Sequence, residues 1–427
     1  MLDRQLVRKN PDLVKQGAAR KGTSAPVDEF LRIDEEWRQV KHRLDTANGE
    51  MKQSAKQIGQ LMGQGKKEEA EAAKAKTGEL KQEIRELETK SREMEERLVA
   101  IELQFPNLPH ESVPEGKSAD DNPIIREWGE KPAGTYGFKP HYEIAEELGI
   151  IDFERGTRIS GSGFVIYRRQ GARLLRALVN WMIDFQVEQR YYDEVYPPFM
   201  VHAASMTGTG NLPKFSEELY QTTRDDLWLI PTAEVPVTNM YRDEIIDGTD
   251  LPIRLAAYSA CFRREAGAAG KETRGIQRMH QFDKVELVKF TLPEESYRAL
   301  EILVQDAEAV LQALGLHYRV IELCAGDIGD KGAKAYDLEV WSPAEERYLE
   351  VSSCTNFEAF QARRANIRFR RSIGEKPEFV HTLNGSGLAV PRLLVALLET
   401  YRLPDGDIKV PPVLESRMGA SQIEKPR

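Results

Sequence analysis

The chain has 427 residues, a net charge of −9 and 41% apolar residues, which predict two or three domains with a sizeable core. Three widely separated cysteines argue against a disulfide framework or a cysteine-rich zinc site. The N-terminus lacks a signal-like apolar segment, and no run approaches about 18 apolar residues, so we expect a cytoplasmic protein without a membrane span.

The first predicted element is a pair of long helices at about residues 28–105. Apolar or small residues recur at steps of three and four from Phe30 to Leu61, and again from Ala73 to Ile101. This is the heptad pattern of a coiled coil. The stretch GQG at 63–65 separates the runs, and FPNLPHESVP at 105–114 ends the second. We predict a projecting antiparallel hairpin, roughly 50 Å long at about 1.5 Å per residue.

Charge is distributed unevenly along this hairpin. Residues 41–67 contain six Lys and Arg but only two acidic residues, Asp45 and Glu50, so the distal part is basic in an acidic protein. A basic tip suits contact with a phosphate backbone. The pattern also leaves open a dimerisation or spacer coil whose lysines are merely solvated.

From about residue 115 onward, the predicted strands and helices are mixed. Helices are predicted at 171–190, at 293–315 and at PRLLVALLETY near the C-terminus. The predicted strands are EVYPPFMV, IRLAAYSACFRRE, HQFDKVELVKF, KAYDLEVWSP and RYLEVSSCTNF. The sequence shows adjacent strand pairs with flanking helices and lacks the alternating β-α-β order that is typical of a parallel sheet. It therefore predicts the α+β class with a mostly antiparallel sheet.

Two of these strands carry residues that could bind a nucleotide. Arg263, Arg264 and Glu265 end the first, while Phe282 and Glu286 lie on one face of the second. Arginine suits bidentate contact with phosphate, and phenylalanine can stack under a base. A surface ladder of opposite charges is the alternative.

Other segments offer complementary chemistry. Glu350 and Ser353 in LEVSSC could coordinate Mg²⁺ beside a triphosphate. The stretch from Asn384 to Gly387 is predicted to end a strand, and Arg392 lies in the first turn of the predicted helix that follows, where a phosphate could bind. Thr232 and Glu234 in IPTAEVPVTN lie in a predicted short turn, where the carboxylate could hold an ammonium group.

Taken together, these segments resemble the class II aminoacyl-tRNA synthetases, and within that class the bacterial-type seryl-tRNA synthetase family. EVYPPFMV is similar to motif 1, with Pro198 at the motif proline, although Tyr191-Tyr192 precedes it where the family usually has Gly-Tyr. FRREAGAAGKETRGIQRMHQFDKVE is similar to motif 2, and NGSGLAVPRLLVALLE to motif 3. TAEVP resembles the serine-site loop of the family, and the hairpin resembles its tRNA-binding arm.

The resemblance implies a tRNA-binding domain at residues 1–110, with its arm at about 28–105, and a class II catalytic domain at 111–427. It implies that ATP and Mg²⁺ activate L-serine to seryl-adenylate, and that serine is transferred to the 3′ terminal adenosine of tRNA(Ser), with tRNA(Sec) as a further substrate. The implied partners are tRNA through the arm, L-serine and a second copy of the chain in a homodimer, with no membrane.

The resemblance also implies the roles of individual residues. Arg263 and Arg392 would be catalytic, and Glu350 and Ser353 would bind Mg²⁺. The implied ATP site is Arg263, Arg264, Glu265, Arg278, Phe282, Glu350, Val351, Ser352, Ser353 and Arg392. The implied serine site is Thr232, Ala233, Glu234, Glu286, Asn384 and Ser386. Serine is favoured over threonine because the sequence offers no convincing Cys/His set for the zinc that threonyl enzymes use.

Two other classes of function remain open. An enzyme that passes an aminoacyl-adenylate to a carrier protein would typically lack the long arm, which is present here. A non-catalytic binding protein would be expected to have lost Arg263, Glu350 or Arg392, and all three are present.

Overall fold

The fold was obtained as a computed structural model, which describes residues 1–133, 137–266 and 274–426. Its helices are α1 Arg4–Lys9, α2 Pro11–Arg20, α3 Val27–Gly63, α4 Lys67–Glu102, α5 His141–Glu147, α6 Phe153–Ser160, α7 Arg169–Arg190, α8 Ala203–Gly208, α9 Glu234–Asn239, α10 Ser296–Ala313, α11 Phe360–Ala365, α12 Val390–Thr400 and α13 Pro412–Met418. Its strands are β1 Ile124–Trp128, β2 Ile151–Asp152, β3 Ile166–Tyr167, β4 Asp193–Val195, β5 Met200–His202, β6 Leu227–Leu229, β7 Ile245–Asp247, β8 Ile253–Phe262, β9 Gln281–Thr291, β10 Tyr318–Glu322, β11 Lys334–Ser342, β12 Arg347–Asn356, β13 Arg368–Arg370, β14 Glu378–Phe379, β15 His381–Ala389, β16 Ile408–Lys409 and β17 Gln422–Ile423. Residues 267–273 of the motif 2-like stretch lie outside the described residues.

The chain divides into two compact units, and the first is helical. It consists of Leu2–Ala18 and Ser24–Pro106, and most of it is the pair α3 and α4. The two helices are antiparallel, because ion pairs join Arg43 to Glu83 at 2.6 Å and Arg97 to Glu29 at 3.4 Å. Every predicted seam position is buried or half-buried. The predicted coiled-coil hairpin is therefore confirmed, and its turn lies at residues 64–66.

The second unit contains Met1, Ala19–Thr23 and the residues from 107 onward, and an eight-stranded sheet forms its centre. The strand order is β1-β10-β11-β12-β15-β9-β8-β4. Every neighbouring pair is antiparallel except β4 and β8 at one edge. This arrangement confirms the predicted α+β class with a mostly antiparallel sheet.

The main core lies between one face of this sheet and the helices α7, α10 and α12. Val285 and Leu287 of β9 point into this core. Because side chains alternate along a strand, Phe282, Lys284 and Glu286 face the opposite side of the sheet. That opposite face is only partly covered, by a smaller core that includes part of α11 and β13, and this leaves room for a site.

Three local predictions need correction. EVYPPFMV is not one strand, because Pro197 and Pro198 lack N–H donors and interrupt it; β4 pairs with β8, whereas β5 pairs with β6 in a separate sheet. Glu234 does not lie in a turn but begins helix α9. The stretch from Asn384 to residue 387 lies within β15, not at its end.

Candidate active site

Two adjacent cavities of about 240 Å³ each occupy the partly covered face of the sheet. The first is lined by Arg263, Glu265, Gln277, Arg278, Met279, Phe282, Lys284, Glu350, Val351, Ser386, Ala389, Pro391 and Arg392. The second is lined by Phe215, Thr232, Glu234, Arg263, Lys284, Glu286, Ile328, Gly329, Asp330, Lys331, Gly332, Glu350, Ser353, Thr355, Phe357, Asn384 and Ser386. Arg263, Lys284, Glu350 and Ser386 line both, so the two cavities share a wall.

The first cavity surrounds an aromatic ring with guanidinium groups. The Arg263 guanidinium lies 5.2 Å from the centre of the Phe282 ring. Arg278 donates from Nη1 to Glu265 Oε2 at 3.2 Å. Arg392 donates to the backbone oxygen of Glu350 at 2.9 Å. Fixed guanidinium groups beside a flat ring suit a phosphate chain attached to a base.

The backbone after β8 turns sharply to present these groups. Glu265 adopts φ +51, a left-handed conformation that is uncommon for a residue with a side chain. Its side chain is only partly exposed and pairs with Arg278. The turn therefore brings the β8 end and the segment before β9 together around the first cavity.

An acidic residue that the sequence analysis did not single out, Asp337, lies beside the predicted metal ligands. Asp337 on β11 pairs directly across the sheet with Ser353 on β12. Burial raises the pKa of Asp337 well above its usual value; Glu350 adds to this shift and a hydrogen bond with Ser353 opposes it. Among the described residues, Asp337 Oδ1 is buried without a hydrogen-bond partner. Glu350, Ser353 and Asp337 together offer only oxygen atoms, which are the ligands that Mg²⁺ prefers.

The second cavity is built around the buried carboxylate of Glu286, which is 1% exposed. Thr232 donates to Oε2 and Asn384 to Oε1, each at 3.0 Å, and the Lys284 ammonium contacts Oε2. Burial raises the pKa of Glu286, while Lys284 opposes the shift. Lys284 also donates to the Thr232 hydroxyl at 2.8 Å, so each of these groups fixes the next.

A second carboxylate, that of Glu234, enters the same cavity. It accepts a hydrogen bond from Gln361 Nε2 at 2.5 Å and lies 3.6 Å from Lys331 Nζ. Gln361 is itself oriented by the Thr382 hydroxyl, which donates to Oε1 at 2.8 Å. Carboxylates and a hydroxyl in so small a space suit a small zwitterion with a hydroxyl group.

The cavities bring together most of the predicted site residues. Arg263, Glu265, Arg278, Phe282, Glu350, Val351 and Arg392 line the first, and Thr232, Glu234, Glu286, Ser353, Asn384 and Ser386 line the second. Three predicted residues line neither cavity: Arg264 donates to Glu217 O at 3.2 Å, Ser352 donates to Ser386 O at 2.6 Å, and Ala233 packs in the smaller core.

Several residues around the cavities were not among the predicted site residues. Those that contact carboxylates or hydroxyls of the site include Lys284, Asp337, Gln361 and Lys331. Strand alternation could have indicated the first two, because Lys284 lies between Phe282 and Glu286 on one face, and Asp337 lies on the site face of β11. Nothing in the local sequence around Gln361 or Lys331 indicates contact with Glu234.

Comparison with known proteins defines the class first. The sequence-family model for the tRNA synthetase class II core domain (G, H, P, S and T) matches residues 215–401. The sequence-family model for the seryl-tRNA synthetase N-terminal domain matches residues 1–109. The class is therefore that of the class II aminoacyl-tRNA synthetases.

Individual relatives narrow the class to one family. A serine--tRNA ligase of Bacillus subtilis is 51% identical over 427 residues, covering 100% of both chains. The crystal structure of seryl-tRNA synthetase from Pyrococcus horikoshii complexed with ATP has a TM-score of 0.92 at 36% identity, again with 100% of both chains covered. A cytoplasmic serine-tRNA ligase of Naegleria fowleri in complex with AMP has a TM-score of 0.87 at 29% identity, covering 100% of this chain and 99% of that one. The chain therefore belongs to the serine--tRNA ligase family and is an aminoacyl-tRNA ligase.

Within the described ranges, no helix combines the length and the apolar character needed to cross a bilayer.

Proposed function

We propose that this chain joins L-serine to tRNA(Ser) in two steps, using ATP, and that it also charges tRNA(Sec) where that tRNA exists. The observation that carries the proposal is the shared wall of the two cavities, where Arg263 faces both. A nucleotide in the first cavity and an amino acid in the second would meet at this guanidinium. The ATP and AMP bound by the two solved relatives support a nucleotide in this fold.

In the first step, the serine carboxylate attacks the α-phosphorus of ATP, the bond to the bridging oxygen breaks, and pyrophosphate leaves. Arg263 would neutralise charge on the α-phosphate, and Arg392 would hold the base or the γ-phosphate. Phe282 would stack under the adenine, with Arg278 and Glu265 beside it. Positioning and charge neutralisation are enough for this step, so no protein nucleophile is needed.

In the second step, the terminal ribose hydroxyl of tRNA attacks the acyl carbon of seryl-adenylate, and AMP leaves.

Glu350 and Ser353 would hold Mg²⁺, and the unpaired oxygen of Asp337 supports this donor set. When bound there, Mg²⁺ supplies positive charge to the phosphate oxygens. Arg264, Val351 and Ser352 would complete the nucleotide site as backbone or supporting residues.

Selection of serine would depend on hydrogen bonds in the second cavity. Glu286 would accept the serine hydroxyl, while Glu234 would hold the ammonium group, with Thr232, Ala233, Asn384 and Ser386 forming the rest of the pocket. A site that binds a hydroxyl this way rejects the analogue lacking it by about 10⁴–10⁵. Alanine should therefore fail, whereas threonine must be excluded by volume.

We also propose that residues 1–110 form the tRNA-binding domain and 111–427 the catalytic domain. Exposed lysines at the distal part of the hairpin, namely Lys52, Lys56, Lys66 and Lys67, support contact with tRNA phosphates. Arg43 contributes less to that surface, because it pairs with Glu83.

A homodimer and a cytoplasmic location complete the proposal. Tyr191, Tyr196 and Met200, around motif 1, are 80%, 75% and 44% exposed, which supports an interface there. All three cysteines are buried free thiols, which supports a reducing compartment.

Pyrophosphate exchange tests the proposed activity without tRNA. The purified chain is incubated with ATP and Mg²⁺ and with serine, threonine, alanine or glycine in turn. We expect exchange with serine alone. Absence of exchange with all four amino acids would contradict the catalytic proposal and favour a binding role.

A further inference from the structure

The loop between β10 and β11 forms one wall of the second cavity. Five of its residues, from Ile328 to Gly332, line that cavity, and none of them lines the first. The loop also brings the Lys331 ammonium to 3.6 Å from the Glu234 carboxylate. The backbone position of this loop therefore contributes to the shape and charge of the second cavity and not to the lining of the first.

Four successive carbonyl groups of this loop, at residues 329–332, are held by two side chains from distant parts of the sequence. Lys21 Nζ donates to Gly329 O at 2.8 Å and to Gly332 O at 2.6 Å, with a longer contact of 3.4 Å to Asp330 O. Asn107 donates from its backbone N to Asp330 O at 2.7 Å, and from Nδ2 to Lys331 O at 2.9 Å.

Lys21 is buried, with 8% of its surface exposed, so its contacts with the loop are not those of a solvated lysine. Burial lowers the pKa of Lys21 to about 7, and the nearby Asp330 opposes that shift. Three carbonyl oxygens around Nζ match the three hydrogens of an ammonium group, and this geometry favours the charged form. A side chain without a hydrogen-bond donor at this position would leave buried carbonyl groups unsatisfied, which destabilises their arrangement.

Asn107 is equally buried, with 4% exposed, and its amide holds a second wall of the same cavity. Nδ2 also donates to Phe357 O at 2.9 Å, and Phe357 lines the second cavity. One amide group thus fixes the loop relative to the segment that follows β12.

We propose that Lys21 and Asn107 are positioning residues for the amino-acid site, which act by holding the backbone of residues 329–332 and thereby the Lys331–Glu234 contact. This inference rests on the proposed function, because it identifies the second cavity as the amino-acid site. Neither side chain lines a cavity, so both act through the loop. Lys21 and Asn107 should therefore affect binding of the amino acid and not binding of the nucleotide.

The test compares Michaelis constants in pyrophosphate exchange for the wild-type chain, Lys21→Met, Lys21→Arg and Asn107→Leu. Methionine keeps the unbranched stem without the charge, arginine keeps the charge, and leucine keeps the branched shape of asparagine without its donors. Lys376→Met, at an exposed position that lines neither cavity, controls for the loss of one lysine. Serine is varied at saturating ATP, and then ATP at saturating serine.

We expect Lys21→Met and Asn107→Leu each to raise the KM for serine about tenfold, with the KM for ATP within about twofold of wild type. Lys21→Arg should recover most of the serine affinity, and Lys376→Met should behave like wild type. An unchanged KM for serine in both Lys21→Met and Asn107→Leu would overturn the inference. So would an equal rise of the KM for serine and of the KM for ATP. If Lys21→Met does not fold, Lys21→Gln, which keeps two donors, replaces it in the same comparison.

Hydrogen exchange of the backbone amides provides a readout that does not depend on activity. In Lys21→Met, amides of residues 326–333 should exchange faster than in wild type, while those of strand β12 should not. Unchanged exchange in this loop would overturn the inference even in an active enzyme. A wild-type chain that lacks serine-dependent pyrophosphate exchange would instead contradict the proposed function. Hydrogen exchange of the loop amides would still decide whether Lys21 holds the loop.

Discussion

The helical hairpin and the sheet cavities use charged side chains in opposite ways. On the hairpin, Lys52, Lys56 and their neighbours are exposed and lie along a surface. In the second cavity, Lys284 and Glu286 are almost fully buried, and each is fixed by further hydrogen bonds. Exposed charges act additively and are screened by salt, whereas a buried network acts as a unit. The hairpin is therefore suited to a long polyanion, and the cavity to one small molecule.

The largest effect should come from the arginine that both cavities share. Arg263→Ala should lower kcat for pyrophosphate exchange by about 10³, because a fixed cation at the reacting phosphate is lost. Arg371→Ala is the control, since Arg371 pairs with Glu294 and Glu378 and lines neither cavity. We expect its loss to be less than about tenfold. Equal losses of kcat in the two variants would mean that the reaction does not take place at these cavities.

Glu286→Gln should have the next largest effect. Its amide would direct N–H groups toward Thr232 and Lys284, which are themselves donors, and this conflict should lower kcat/KM for serine by about 10². Discrimination between serine and alanine should narrow at the same time. Glu308→Gln, another buried carboxylate that lines neither cavity, is the control. Unchanged discrimination in Glu286→Gln would contradict the assignment of Glu286 to the serine hydroxyl.

On the hairpin, individual charges should matter less. Replacing Lys52 and Lys56 together by Gln should raise the KM for tRNA in the charging assay several-fold at moderate salt, because about two phosphate contacts are lost. The dependence of this KM on salt should become shallower, while exchange without tRNA stays unchanged. Lys376→Gln serves as the exposed lysine control. A salt dependence as steep as that of wild type would place the phosphate contacts elsewhere.

The smallest effect on activity should follow from a change inside the hairpin seam. Leu44 packs with Ala47, Leu80 and Ile84, and Leu44→Ala should destabilise this region by about 2–4 kcal/mol. Circular dichroism should show that helix is lost at a lower temperature than in wild type. The rate of pyrophosphate exchange at 25 °C should stay within about twofold of wild type. A large loss of exchange would show that the cavities depend on the hairpin seam.

The two regions also differ in how far sequence alone predicts them. The hairpin follows from a period of three and four residues, since each seam residue is near its partners along the helix, and every seam position is buried or half-buried. The strands β8, β9, β11 and β12 were likewise predicted by local patterns. EVYPPFMV was misjudged because two consecutive prolines outweigh its strand-like composition.

Contacts between distant residues could not be predicted in this way. Gln361 lies 127 positions from Glu234, and Lys21 lies 311 positions from Gly332. No local pattern relates such residues, so their proximity follows only from the assembled sheet and its loops. The resemblance to a known family supplied the roles of the motif residues, but not the side chains that support them.

The most direct test removes one region and measures both reactions. Residues 41–86 are replaced by a short Gly-Ser linker that joins Val40 to Leu87, which lie at similar levels of the antiparallel pair. Exchange with serine and charging of tRNA(Ser) are then measured on the same preparation. We expect wild-type pyrophosphate exchange and a loss of tRNA charging of at least about 10². Loss of exchange, or charging that survives, would contradict the division of work between the cavities and the hairpin.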